Sequence, residues 1–181
     1  MTIQTLVILA LAAVALTFVV WMLRGYVKQR GDRVITCPET FTPEGVRVDA
    51  GHAAVTSLMG HPELRLSDCT RWPERAGCGQ ECLTQIARSP HGCLVRNVVA
   101  DWCAEKTCAM CQRPVGEREW MEHEPALMDV RDEWHRTLAL NEVPAEKLWA
   151  VLETHVPVCW NCHVTETFRR EHSELVIDRP S

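Results

Sequence analysis

The stretch CWNCHVTETFRREH, residues 159–172, decides how the fold of this chain is interpreted. It begins with Cys-x-x-Cys-His, which places two thiols and an imidazole within one short turn. Such a pentapeptide is typical either of one half of a four-cysteine zinc site or of a c-type haem attachment site. The two interpretations imply different compartments and different chemistry, so other parts of the chain have to distinguish them.

A second cysteine pair with the same spacing lies upstream, in the stretch CAMC of residues 108–111. Two residues between cysteines let both sulfurs turn toward one ion, while backbone N–H groups point at the thiolates. Two such knuckles supply the closed tetrahedral set of four sulfurs that structural zinc prefers. We therefore predict a zinc ion that contributes directly to folding. Its ligands are Cys108, Cys111, Cys159 and Cys162.

The order of these motifs resembles a treble-clef zinc ribbon over about residues 105–175. In such folds the first knuckle leads into a hairpin, and the second opens a helix whose N-terminus favours thiolates. The resemblance implies a hairpin after CAMCQRPVG and a helix that begins in CWNCHVTETFRR. We expect an α+β fold, in which a single N-terminal transmembrane helix precedes a small cysteine-rich, zinc-binding, treble-clef-like domain.

Two redox interpretations compete for the same cysteines. A c-type haem would be attached to Cys159 and Cys162 and would take His163 as an axial ligand. The candidates for its second axial ligand are Met110, Met121 and Met128. Haem attachment occurs on the outer side of the membrane, and it leaves Cys108 and Cys111 without a role. A thiol oxidoreductase would need a cysteine pair of lowered pKa at a helix start, but neither pair lies in a visible βαβ pattern.

The layout also resembles the HNH endonuclease family, whose treble clef carries a His-x-x-Pro-like segment between the cysteine pairs. The resemblance implies His123, in the stretch MEHEPAL, as general base and His163 as a ligand of the catalytic metal. Asn141 would position the base. Glu122 stands where that family usually has Asp, and a membrane anchor is unusual for a nuclease. The alternative role of both histidines is to cap turns or to pack on the zinc site.

A first cluster of cysteines precedes these knuckles. Cys69, Cys78 and Cys82 lie in a loop rich in Arg, Pro and Gly that enters a helix. Cys37 is the expected fourth member, and Cys93 competes with it for that place. Four thiolates suit a second zinc ion, which we favour, or a four-iron iron–sulfur cluster. The alternative is a set of buried free thiols, because cysteine is often buried even when it is inert.

The N-terminal segment predicts a membrane anchor. Residues 3–23 carry no charge, and as a helix they span roughly 32 Å, enough to cross the hydrocarbon core of a bilayer. They show neither the polar face of a core helix nor the basic start and small-residue end of a signal peptide. Four cations follow the segment and none precedes it, which predicts an outside N-terminus and a cytoplasmic C-terminal part at the inner (plasma) membrane. These cations are Arg24, Lys28, Arg30 and Arg33.

Composition agrees with a cytoplasmic, metal-binding interpretation. All ten cysteines lie beyond the anchor, and clustered thiols in the reducing cytoplasm bind metal more often than they form disulfides. Residues 1–33 contribute +3 to the net charge of −5, so the remaining residues carry −8. That charge argues against nucleic-acid binding. The expected partners are the lipid bilayer, through residues 3–23, and a membrane protein complex.

We expect three segments along the chain. They are a membrane anchor with a basic linker at residues 1–33, a first cysteine cluster with short helices at 34–104, and the zinc domain at 105–181. Cys103 is expected to pack in the core. The sequence gives His52, His61 and His91 no role beyond the surface or a helix cap. No nucleophile–base pair or phosphate loop is visible, which favours an accessory subunit or adaptor over an enzyme.

Overall fold

The computed structural model describes residues 2–58, 60–115, 124–132 and 136–175. The chain forms two units, Met1–Cys93 and Leu94–Ser181. The helix Val95–Cys103 belongs to the second unit. The architecture mixes helices with two antiparallel sheets, in agreement with the α+β part of the predicted fold class.

The N-terminal helix α1 spans Ile3–Gln29. It is long and apolar enough to cross a membrane, and its most apolar window is not buried by any other described part of the chain. Length and composition of this kind also occur in signal sequences and core helices. The helix continues beyond Leu23, so the segment expected to be a linker forms its last turns and the start of the next strand.

The end of α1 packs against a second helix, α2, which spans Ala50–Ser57. A Cβ atom on Gly25 would lie 3.3 Å from the Cα of Ala54, so glycine permits this close approach. Asp49 caps α2, because its side chain accepts a hydrogen bond from the backbone N–H of His52 at 2.9 Å. The end of α1 is therefore packed directly against the rest of the first unit.

A three-stranded antiparallel sheet forms the centre of the first unit. Its strands are β1 (Asp32–Thr36), β2 (Pro43–Val48) and β3 (Leu66–Cys69), in the order β1–β2–β3. Val34 of β1 faces Gly45, and Val46 of β2 faces Cys69. The short helix α3 spans Leu83–Arg88, and its Ile86 is fully buried in the same core.

Arg33, which the sequence analysis considered only as one of the cations that predict membrane topology, is completely buried at the start of this sheet. Its guanidinium donates to the backbone carbonyl of Gln29 at 2.7 Å and to the side-chain oxygen of the same residue at 3.2 Å. It thereby satisfies a carbonyl in the last turn of α1, where helix carbonyls lack internal partners. Sequence reasoning missed this role, since a basic residue after an apolar helix is explained by topology alone.

The elements of the second unit are α4 (Val95–Cys103), β4 (Ala126–Asp129), β5 (Thr137–Ala139), α5 (Leu148–Thr154), β6 (His155–Val158) and α6 (Trp160–Glu171). The three strands form another antiparallel sheet, in the order β5–β4–β6. Ala126 of the central strand faces Ala139 on one side and Val158 on the other. Helix α4 buries Val99 and Cys103 completely, as expected for Cys103. Short 3-10 helices cover Leu140–Glu142, Ala145–Lys147 and Ser173–Leu175.

Candidate metal centre

The first knuckle is a tight turn closed by backbone hydrogen bonds. Thr107 and Pro114 form an antiparallel bridge around it. The N–H of Cys108 donates to the carbonyl of Arg113 at 2.8 Å, and the N–H of Gln112 donates back to the carbonyl of Cys108 at 2.9 Å. Gln112 has a φ of 60°, the left-handed conformation that lets the chain reverse. The turn brings the sulfurs of Cys108 and Cys111 within 4.8 Å of each other.

The second knuckle joins strand β6 to helix α6. Cys159 stands immediately before the helix, and Cys162 lies in its first turn. The N–H of His163 donates to the carbonyl of Cys159 at 3.0 Å, which begins the helical hydrogen-bond pattern. The N–H of Ala109 donates to the carbonyl of Pro157 at 2.9 Å, so the first knuckle is attached to β6 beside the second.

The four knuckle sulfurs converge on one point. The sulfurs of Cys108, Cys111, Cys159 and Cys162 all lie within 4.8 Å of one another. The Sγ atoms of Cys111 and Cys159 are 3.7 Å apart. Four sulfurs held tetrahedrally at about 2.3 Å from one ion are themselves about 3.8 Å apart. The residues present therefore fit a single tetrahedrally coordinated metal ion.

The hydrogen bonds at this centre favour thiolate unevenly. Burial alone would raise the pKa of the Cys108 thiol, but backbone N–H groups of Cys111, Cys159 and Met110 outweigh it and lower that pKa to about 7. Burial and the neighbouring sulfurs raise the pKa of Cys162. Burial likewise raises the pKa of Cys159. Four crowded thiolates repel one another, and a divalent cation would offset that repulsion.

His163 is held beside this centre. A hydrogen bond of 2.7 Å joins its Nδ1 to the hydroxyl of Thr137, which is buried on β5. Its ring lies 5.4 Å from the ring of Trp160, centroid to centroid. Burial lowers the pKa of His163, which favours the neutral imidazole near neutral pH. The imidazole of His163 is not part of the group formed by the four knuckle sulfurs. This placement agrees with the packing role considered for His163, and Thr137 is a partner that sequence reasoning missed.

The other residues of the nuclease and haem interpretations are only partly described. His123, Glu122 and Met121 lie outside the described residues. Asn141 lies in the 3-10 helix that follows β5. Met128 is buried on β4, and Met110 lies within the first knuckle.

The first cysteine cluster has a different geometry. Cys37, Cys69, Cys78 and Cys82 line one cavity, whereas Cys93 does not. Within the described residues, the sulfurs of this set do not form a group as tight as that of the knuckles. Cys37 is therefore the member that the fold brings to the other three. Cys93 packs against the core cluster that contains Cys69 and Cys82, beside Arg33, but does not line the cavity.

Comparison with known proteins identifies no relative of this chain: no family model, curated protein or solved structure is significantly similar to it. The function has to be argued from the cysteine centre and the apolar helix.

Proposed function

We propose that this protein is a single-pass, membrane-anchored zinc protein with a structural and interaction role, as an accessory subunit or adaptor of a larger membrane complex. Its zinc ion is held by the two knuckles in a treble-clef-like arrangement. The observation that carries the proposal is the convergence of four sulfurs from two distant knuckles within 4.8 Å of one another.

The geometry supports zinc in a structural rather than a catalytic site. Four cysteine sulfurs complete a tetrahedral shell and leave no open position for substrate or water, unlike catalytic zinc sites. The second knuckle opens helix α6, and the first is bounded by the bridge of Thr107 with Pro114, the arrangement typical of a treble clef. A haem on Cys159 and Cys162 would leave the Cys111 sulfur, 3.7 Å from that of Cys159, without a role.

The connection between α1 and the first unit supports an accessory role at the membrane. Helix α1 packs on α2 at Gly25 and Ala54, and only Arg30 and Gly31 separate it from β1. A domain held without a flexible linker keeps a fixed position next to its anchor. Such a domain is suited to binding a neighbouring membrane protein, and α1 offers an exposed apolar surface for contacts within the bilayer.

The test of this proposal is elemental analysis of the full-length chain, purified in detergent, with variants that separate ligands from other thiols. The wild type should contain one zinc ion at the knuckles. Cys111→Ala and Cys162→Ala should each lower that zinc content at least severalfold. Cys103→Ala is the matched control, because it removes a buried thiol from the same unit and should leave zinc bound. Zinc that is absent from the wild type, or unaffected in both ligand variants, would contradict the proposal.

Anchoring and orientation need a separate experiment. A membrane fraction should retain the protein after high-salt and alkaline washing and release it into detergent. A protease added to inside-out vesicles should digest the cysteine-rich part, and the same protease added to right-side-out cells should not. Release by the washes, or a chain shortened by loss of α1, would show instead that the helix is peripheral or a cleaved signal sequence.

A further inference from the structure

The first unit contains a cavity that the proposed zinc function does not use. It has a volume of about 120 Å³, room for several water-sized groups rather than one. Four cysteines contribute to its wall, together with Arg71 and Trp72. These cysteines come from four places in the chain: the end of β1, the end of β3, the loop after it and the residue before α3.

The thiol of Cys37 is surrounded by hydrogen-bond donors, as expected of a metal-bound thiolate. It accepts from the Thr40 hydroxyl, from the backbone N–H groups of Glu39 and Thr40, and from Arg71. The Nη1 of Arg71 lies 3.0 Å from this sulfur. Two backbone hydrogen bonds fix the turn at residues 37–42. The N–H of Cys37 donates to the Thr42 carbonyl at 2.9 Å, and the N–H of Phe41 donates to the Cys37 carbonyl at 2.8 Å.

The other three thiols are fixed around the same space. Cys69 ends the paired strand β3, and its sulfur accepts from the backbone N–H of Arg71. The N–H of Cys78 donates to the carbonyl of Arg75 at 3.1 Å. Cys82 is buried in the core cluster, immediately before α3. Each cysteine is thus held by its own local structure, and all four line one cavity.

The arrangement of these cysteines differs from that of the knuckles. The knuckle sulfurs lie within 4.8 Å of one another, and among the described residues the cavity cysteines are not part of such a group. In a four-iron cluster each cysteine binds a different iron, so the cysteine sulfurs stand roughly 6 Å apart around an inorganic core. Four cysteines distributed around a cavity of about 120 Å³ provide both the ligands and the room for such a core.

The hydrogen bonds at the cavity suit a cluster, although its lining is mixed in charge, with Glu39, Glu44 and Glu81 beside Arg71 and Arg75. Four thiolates and a four-iron core carry net negative charge, and hydrogen bonds to the sulfurs stabilise it. Arg71 is half-buried and bonds both the Cys37 sulfur and the Glu39 carboxylate, the latter at 2.9 Å. Arg75 also contacts Glu39, at 3.4 Å, which holds a second cation beside the cavity.

We propose that Cys37, Cys69, Cys78 and Cys82 bind a four-iron, four-sulfide cluster, with Arg71 as the charged donor to its Cys37 ligand. The site is separate from the knuckle zinc and does not depend on it. Cys93 is not a ligand, although it is the only other cysteine of the first unit outside the set.

The test is anaerobic purification of the full-length protein from iron-replete cells, followed by reconstitution with equal amounts of ferrous and ferric iron and with sulfide. The wild type should bind about four iron and four acid-labile sulfide ions per chain, with broad visible absorbance. Cys69→Ala and Cys82→Ala should reduce iron and sulfide at least fivefold. Cys93→Ala, the matched control, should retain both. The iron and sulfide contents of the wild type test the proposal even if one of the variants fails to fold.

Zinc measured in the same sample separates the two sites. Iron and sulfide at the expected ratio, together with knuckle zinc, would support both proposals. Iron and sulfide without zinc would contradict only the proposal of zinc at the knuckles. A second zinc ion that disappears in Cys69→Ala would overturn the cluster in favour of a mononuclear site. A reconstituted wild type that holds neither iron nor sulfide would overturn it in favour of free thiols.

Discussion

The backbone N–H of Cys159 donates a hydrogen bond to the sulfur of Cys108 across 3.3 Å. This contact joins two knuckles that are separated by 47 residues in the chain. It points a donor of the second knuckle at a sulfur of the first, an arrangement that would stabilise a thiolate bound to a cation. The four-cysteine group is therefore the place where strand β6, helix α6 and the first knuckle are held together.

Metal removal should loosen the second unit and leave the first intact. A zinc chelator would leave four crowded thiols without the cation that offsets their repulsion. We expect amide hydrogen exchange to accelerate severalfold or more in α6 and β6. The strands β1 and β2 provide the internal control and should keep their protection. Equal acceleration in both units would show that zinc does not act locally.

Replacing Gly25 by leucine should disrupt the packing of α1 on α2. Even one Cβ at this position would approach the Ala54 backbone to 3.3 Å, and larger side chains in such contacts cost about 1–3 kcal/mol. The variant should become more sensitive to protease near the end of α1 and have a lower Tm. Ala12→Leu, in the exposed part of the same helix, is the control and should change neither. A Gly25→Leu variant with unchanged protease sensitivity would argue against close packing.

Replacing Arg33 by methionine should destabilise the first unit by about 3 kcal/mol. The change keeps much of the side-chain length but removes the donors to Gln29, which leaves buried acceptors unsatisfied. Denaturant unfolding in detergent, monitored by a probe in the first unit, would measure the loss. Arg30→Met removes an exposed cation and should have little effect. Similar effects of the two substitutions would contradict a structural role for Arg33.

Stability should fall in alkaline solution partly because of Cys103. Burial raises the pKa of its thiol from 9.0 to about 11 in the folded protein, so the unfolded chain loses this proton first as pH rises. The folded state then binds more protons, and stability decreases between these two values. The contribution amounts to about 2 kcal/mol by pH 11. Urea unfolding at a series of pH values should show a shallower alkaline decline for Cys103→Ala than for the wild type; parallel declines would contradict this assignment.

Local spacing is what made the knuckle centre predictable. A Cys-x-x-Cys turn fixes the direction of two sulfurs through hydrogen bonds within a few residues. It can therefore be recognised in the sequence without knowledge of the fold. The apolar helix was predictable for the same reason, since its pattern is local. The start of the helix that Cys162 enters also follows from the sequence.

The remaining features depend on contacts between distant segments. Only strand pairing places Cys37 rather than Cys93 beside Cys69, because β1 and β3 flank β2 in one sheet. Nothing in the spacing of basic residues separates the buried Arg33 from its exposed neighbours. The hydrogen bond between Thr137 and His163 requires β5 and α6 to be adjacent, which depends on tertiary packing.

The most direct test of the central claim is X-ray absorption at the zinc edge on the full-length protein in detergent. The account predicts one zinc ion per chain with four sulfur neighbours at about 2.3 Å. Loss of that signal in Cys111→Ala, with retention in Cys103→Ala, would assign the zinc to the knuckles. A shell containing nitrogen or oxygen, or a wild-type protein without zinc, would contradict the four-cysteine structural centre.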